Sequence, residues 1–74
     1  MTMNILLNSI NDVKTFVNVV SRYDFDVDLI SERYVVDAKS IMGIFSLDLS
    51  KPIKVDIHAE DCQSFVDEIK IFEV

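Results

Sequence analysis

Residues 1–74 are half hydrophobic, enough for one small domain whose core lies near the lower limit for independent stability. Thirteen acids against seven bases give a net charge of −6. That argues against nucleic acid and anionic membrane surfaces, which are bound through Lys and Arg, and leaves a protein partner as the expectation.

Met3 to Leu7 is a short apolar run and reads as a first strand. Ser9 then caps a helix, and Asp12 three residues on favours its N-terminus. Val13, Phe16, Val17 and Val20 fall at helical spacing on one stripe, which Tyr23 extends. Phe25, Val27 and Leu29 alternate with Asp24, Asp26 and Asp28, the pattern of a half-buried strand with its acids in water. Ser31-Glu32-Arg33 makes a tight connection to a partner strand, Tyr34 to Ala38.

Ser40 next stands where a short helix begins, followed by Ile41, Met42, Ile44, Phe45 and Leu47 around the chain's only glycine, Gly43. So short a helix cannot bury its whole circumference, and part of that apolar surface is left for a partner. Pro52 ends the segment. Ile53, Val55 and Ile57 alternate with Lys54, Asp56 and His58 as a fourth strand. Glu60-Asp61 opens a last helix with Cys62, Phe65, Val66 and Ile69 on its apolar stripe, and Ile71 to Val74 continue it or fray. The order β-α-β-β-α-β-α predicts an α+β, two-layer open-faced sandwich: a four-stranded, mostly antiparallel sheet with helices on one face.

Few residues carry obvious chemistry. The spaced aspartates from Asp24 to Asp28 lack the glycine and terminal glutamate of a calcium loop, and their interleaved Phe25 and Val27 read as strand. His58, the only histidine, has no Cys or His at ligand spacing, so no metal site is expected. A lone Cys62 on the apolar stripe reads as core and allows no intrachain disulfide, which fits a reducing cytosol. No catalytic triad, phosphate loop or dinucleotide fingerprint occurs, so the expectation is a non-enzyme without cofactors. No apolar run approaches the ~20 residues of a membrane span, and the N-terminus lacks a signal-peptide pattern, so a cytoplasmic protein is expected.

The run Ala38-Lys39-Ser40-Ile41-Met42-Gly43, continued by Ile44 to Leu47, resembles the regulatory-serine helix of the HPr family, the histidine-containing phosphocarriers of the bacterial phosphotransferase system. Ser21-Arg22-Tyr23-Asp24 is similar to the end of that family's first helix, and Asp26 to Leu29 to its second strand. Val55 to Glu60 is similar to its fourth strand and the start of its last helix. The resemblance spans about Val17 to Glu60 and implies the HPr open-faced sandwich. It also implies that Ser40 is a regulatory phosphorylation target as well as a cap. Ile41, Met42 and Phe45 then belong to a partner-binding patch, with Ile44 and Leu47 in the core.

The first dozen residues depart from the family's Gly-x-His-Ala-Arg-Pro loop. Counting back without a gap puts Ser9 at the histidine's place, Asn11 at the arginine's and Asp12 at the proline's. Serine forms no labile phosphoramidate, asparagine brings no positive charge to a phosphoryl group, and Asp12 repels one. The reading is therefore a non-catalytic HPr-like regulatory module that docks through its first helix and the Ser40 helix on a transcription regulator or a phosphotransferase-system component. Its alternatives are a phosphocarrier using His58 or Ser40, and a homo-oligomeric module joined through the Ile41/Met42/Phe45 patch.

Overall fold

A computed structural model describes all residues from Met1 to Val74. Its elements are β1 (Thr2–Ile5), α1 (Ile10–Ser21), β2 (Val27–Ser31), β3 (Tyr34–Asp37), α2 (Ile41–Phe45), β4 (Ile53–Ile57) and α3 (Gln63–Ile69), with a 3₁₀ turn at Lys70–Phe72. The four strands form one sheet in the order β1-β4-β2-β3, and every neighbouring pair is antiparallel. This is the α+β open-faced sandwich expected.

Period-2 alternation decides which face is covered. Met3 and Ile5, Val27 and Leu29, and Ile53, Val55 and Ile57 are all buried beneath the helices. Thr2, Asn4, Asp28, Lys54 and Asp56 alternate with them and point to the open face. From above, α1 contributes Val13, Phe16, Val19 and Val20, and α3 contributes Phe65, Val66 and Ile69. Val19 was not on the expected stripe, and Val17 is only half-buried. The buried arc of α1 is wider than one stripe because both α2 and α3 pack against it.

Other boundaries differ from expectation too: β1 spans Thr2–Ile5 rather than Met3 to Leu7, and β3 ends at Asp37 rather than Ala38. Phe25 lies outside the ladder, its ring 5.3 Å from Tyr23 and 5.5 Å edge-on from Phe65. That aromatic cluster takes it out of β2. Helix α3 begins at Gln63 rather than at Glu60-Asp61, with Cys62 at its cap position giving no side-chain hydrogen bond. The C-terminal residues do not fray: the 3₁₀ turn continues α3 through Ile71 and Phe72, and Glu73 and Val74 then leave the helix for the sheet edge. Phe72 is buried, the Leu6 N–H donates to the Phe72 carbonyl at 2.8 Å, and Glu73 bridges to Ile5. The chain's end thus covers the β1 edge of the sheet. No helix is long and apolar enough to cross a membrane.

Candidate functional site

The β1–α1 connection and α2 meet at one end of the molecule. Ser9 caps α1: its Oγ accepts from the Asp12 N–H at 3.1 Å. The Asp12 carboxylate answers by accepting from the Asn8 N–H, also at 3.1 Å. The expected cap is present, and its reciprocal bond reaches one residue further back than in the usual capping box. Both groups are committed to shaping the helix start. Asn11, on the first turn, is exposed.

Ser40 does for α2 what Ser9 does for α1. Its Oγ accepts from the Gly43 N–H at 3.2 Å. Glycine eases a close approach there: an added Cβ would lie 3.2 Å from Ser40 Oγ and 3.3 Å from Val36 Cβ, so those neighbours would have to give by a few tenths of an ångström. Gly43 lets the helix sit down on β3 with its cap intact. Lys39 does not turn towards Ser40; its Nζ donates to the Tyr23 carbonyl at 3.1 Å.

The apolar residues of α2 divide by face. Ile44 is fully buried and Leu47 nearly so, while Met42 is 78% exposed and Phe45 41% exposed. Ile41 is half-buried against the core. Phe45 also lines a cleft of about 490 Å³ with Leu7, Asn8, Ser9, Ile10, Leu49 and Ser50. The structure therefore joins Ser9 and Phe45, which were read separately in the sequence. Ile10, Leu49 and Ser50 were not foreseen as part of this surface. Ile10, exposed on the first turn of a helix, is the one residue whose apolar character there offered a hint.

Electrostatics around the site are local. Ser50 donates from both its hydroxyl and its backbone N–H to Asp48, which holds that carboxyl below its usual range. At the far end of α1 the Tyr23 hydroxyl donates to Glu68, raising the phenol and lowering the carboxylate. Arg22 binds the other Glu68 oxygen at 2.6 Å and so ties α1 to α3.

His58 is elsewhere. It follows the last residue of β4, whereas the Ser9 loop follows the end of β1 that pairs with the first residue of β4. The two are at opposite ends of the sheet. By alternation His58 also belongs to the open face, where its Nε2 lies 2.9 Å from Asp28 Oδ2 and 3.7 Å from Asp56 Oδ2. The hydrogen bond to Asp28 pushes the imidazole above its ordinary value. No group of three or more His, Cys, Asp or Glu side chains converges as a metal site.

An antiparallel sheet in this order, helices on one face, and a serine-capped short helix beside the first helix define the HPr-type open-faced sandwich. A family model described as the PTS HPr component phosphorylation site matches residues 12–72. The chain belongs to the HPr family of the phosphotransferase system.

Solved structures agree on the fold. HPr-C-His from Thermoanaerobacter tengcongensis superposes with a TM-score of 0.80 at 22% identity, over 96% of this chain and 88% of that one. The phosphocarrier protein HPr from Bacillus anthracis gives 0.76 at 19% identity, over 99% and 96%. The Bacillus subtilis catabolite repression protein Crh, described as a swapped-domain dimer, gives 0.67 at 26% identity, over 89% and 78%. No curated protein matches significantly.

Proposed function

We propose that residues 1–74 act as one HPr-like regulatory module in the cytoplasm that binds a protein partner and does not carry phosphate. The observation that carries this reading is the position of the only histidine. His58 sits on the open face of the sheet, at the end away from the cleft between Ser9 and Phe45. At that cleft, Ser9 and Asp12 are engaged in capping α1, and neither offers the chemistry of a phosphoramidate.

The docking surface in this reading is Met42, Phe45 and the cleft beside them, with Ile41 half-buried one turn before Phe45. Exposed apolar surface of this kind is the usual mark of a protein-binding site, and methionine adapts well to a partner's shape. Ser40 is its switch. Phosphorylation adds about 1.5 to 2 negative charges next to Met42. In a chain already at −6, that changes which partners the patch tolerates. A five-residue helix contributes little dipole, so the switch works by charge at the surface.

The partner expected is a transcription regulator or a phosphotransferase-system component. The likeness to Crh supports a regulatory role by analogy only. A pull-down from the source cell tests the docking half. Met42→Gln and Phe45→Ser should lose the partner bound by the native chain while remaining folded. Retention of that partner by both folded variants would remove the surface from the account.

A further inference from the structure

The two edges of the sheet are treated differently. β1 is covered by the C-terminal residues, through the Ile5–Glu73 bridge and a hydrogen bond from the Val74 N–H to the Asn4 carbonyl. β3, at the other edge, has no further strand beside it. Its Tyr34 and Val35 are 63% and 62% exposed. Unpaired edges normally carry a bulge, a proline or a lysine that discourages pairing. Tyr34-Val35-Val36-Asp37 has none of these, and is guarded only by its four-residue length and the single charge of Asp37.

The parity of the free hydrogen-bonding groups follows from the register. The Ala38 N–H donates to the Val27 carbonyl at 2.9 Å, so Ala38, and by alternation Val36 and Tyr34, bond inward to β2. Val35 therefore directs both of its backbone groups outward and Asp37 its N–H, while the Asp37 carbonyl accepts the Ser40 N–H at 2.9 Å. An antiparallel neighbour must pair with those residues. If that neighbour is a second β3 centred on Val35, Val35 faces its own copy across the two-fold axis. Arg33 then stands opposite Asp37 of the other copy, twice.

That register is complementary in charge. Arg33 makes no ion pair within its own chain. Asp37 lies at the end of a row of acids running across the open face, since Asp28 is directly opposite both Asp37 and Asp56. Like charges directly opposite one another destabilise a sheet. His58 answers Asp28 and Asp56 from one side, whereas the Asp37 carboxylate accepts the Lys39 backbone N–H at 2.9 Å and meets no side-chain base. A second copy would supply one at that position.

We propose that β3 is a self-association edge, through which two copies form a continuous eight-stranded antiparallel sheet about a two-fold axis at Val35, closed by reciprocal Arg33–Asp37 pairs. The strand is short, so the dimer is a weak one that forms at high concentration. It uses neither α2 nor the cleft, and it stands independently of the docking role assigned to them.

Sedimentation equilibrium over a concentration series up to millimolar tests it. The native chain should rise from 8.5 kDa toward twice that mass. Arg33→Asp, which disturbs no intrachain ion pair, should remain at monomer mass at concentrations where the native chain is mostly dimer. Asp37→Arg should do the same. An equimolar mixture of the two variants should regain the doubled mass, because each restores the other's opposite charge. Val35→Pro removes only an outward N–H and should be monomeric with unchanged circular dichroism. A native chain that stays monomeric throughout overturns the proposal. So does a dimer that survives both charge reversals, as one made by exchange of another segment would.

Discussion

Ser9 Oγ accepts the Asp12 N–H at 3.1 Å, and the Asp12 carboxylate reaches back to the Asn8 N–H at the same distance. Where the family resemblance, counted back without a gap, leads one to expect a phosphoacceptor and its proline, this chain has a helix cap. Ser9→Ala should therefore lower folding stability by about 1 kcal/mol, and Ser9→Asp should restore it. Denaturant melts of the two variants check this. An unchanged midpoint for Ser9→Ala would mean that the hydroxyl is free for other work.

The two faces of α2 should separate in the same assay. Ile44→Ala should cost about 2–5 kcal/mol, the range for a fully buried aliphatic side chain. Met42→Gln should stay within about 0.5 kcal/mol of the native chain, as a surface change does. Phe45→Ser should fall between them, because Phe45 is 41% exposed and rests partly on the cleft wall. A collapse at Met42 would show that the residue is core.

His58 makes stability depend on pH in a direction that can be worked out. Its hydrogen bond to Asp28, helped by the charge of Asp56, raises the folded pKa above the ordinary value of about 6.5. The folded state then holds a proton that the unfolded chain has released. The pairing's contribution is full below the unfolded value and is lost as pH rises through the folded one. Melts across that window should show the native chain losing stability with rising pH more steeply than His58→Gln. An NMR titration of the imidazole should give a midpoint above the ordinary value. A midpoint below it would contradict the Asp28 contact.

Much of this architecture is legible in local sequence. Alternation in Ile53-Val55-Ile57 and the spacing of Val13, Phe16 and Val20 each report one face of one element. What escaped is what depends on remote partners. Phe25 follows β-spacing but is taken by Tyr23 and Phe65. Ile71 to Val74 follow a helix with no stop signal, and it is the backbone of Asn4, Ile5 and Leu6, at the other end of the chain, together with the Phe16 ring, that gives them a place. The cleft is of the same kind. Ser9 and Phe45 are each singled out in sequence for separate reasons, and their adjacency exists only once α2 lies beside the start of α1.

The C-terminal anchoring carries its own consequence. Phe72 packs edge-on against Phe16 with ring centroids 6.3 Å apart and is 7% exposed. Phe72→Ala should cost about 3–5 kcal/mol, which so small a domain can ill tolerate. A thermal melt should show the loss, whereas Ile71→Ser, at an exposed position, should leave the transition in place. Equal behaviour of the two variants would contradict the buried tail.

The central claim is that this member of the HPr family does not carry phosphate. Incubating the chain with phosphoenolpyruvate and the general phosphotransfer enzyme, beside a histidine-containing HPr as control, tests it by intact mass. The control should gain one phosphoryl group while this chain keeps its mass, because Ser9 caps a helix and His58 lies at the far end of the sheet. A phosphoryl group on His58, acid-labile and abolished by His58→Gln, would contradict the account and make the chain a carrier with a displaced acceptor.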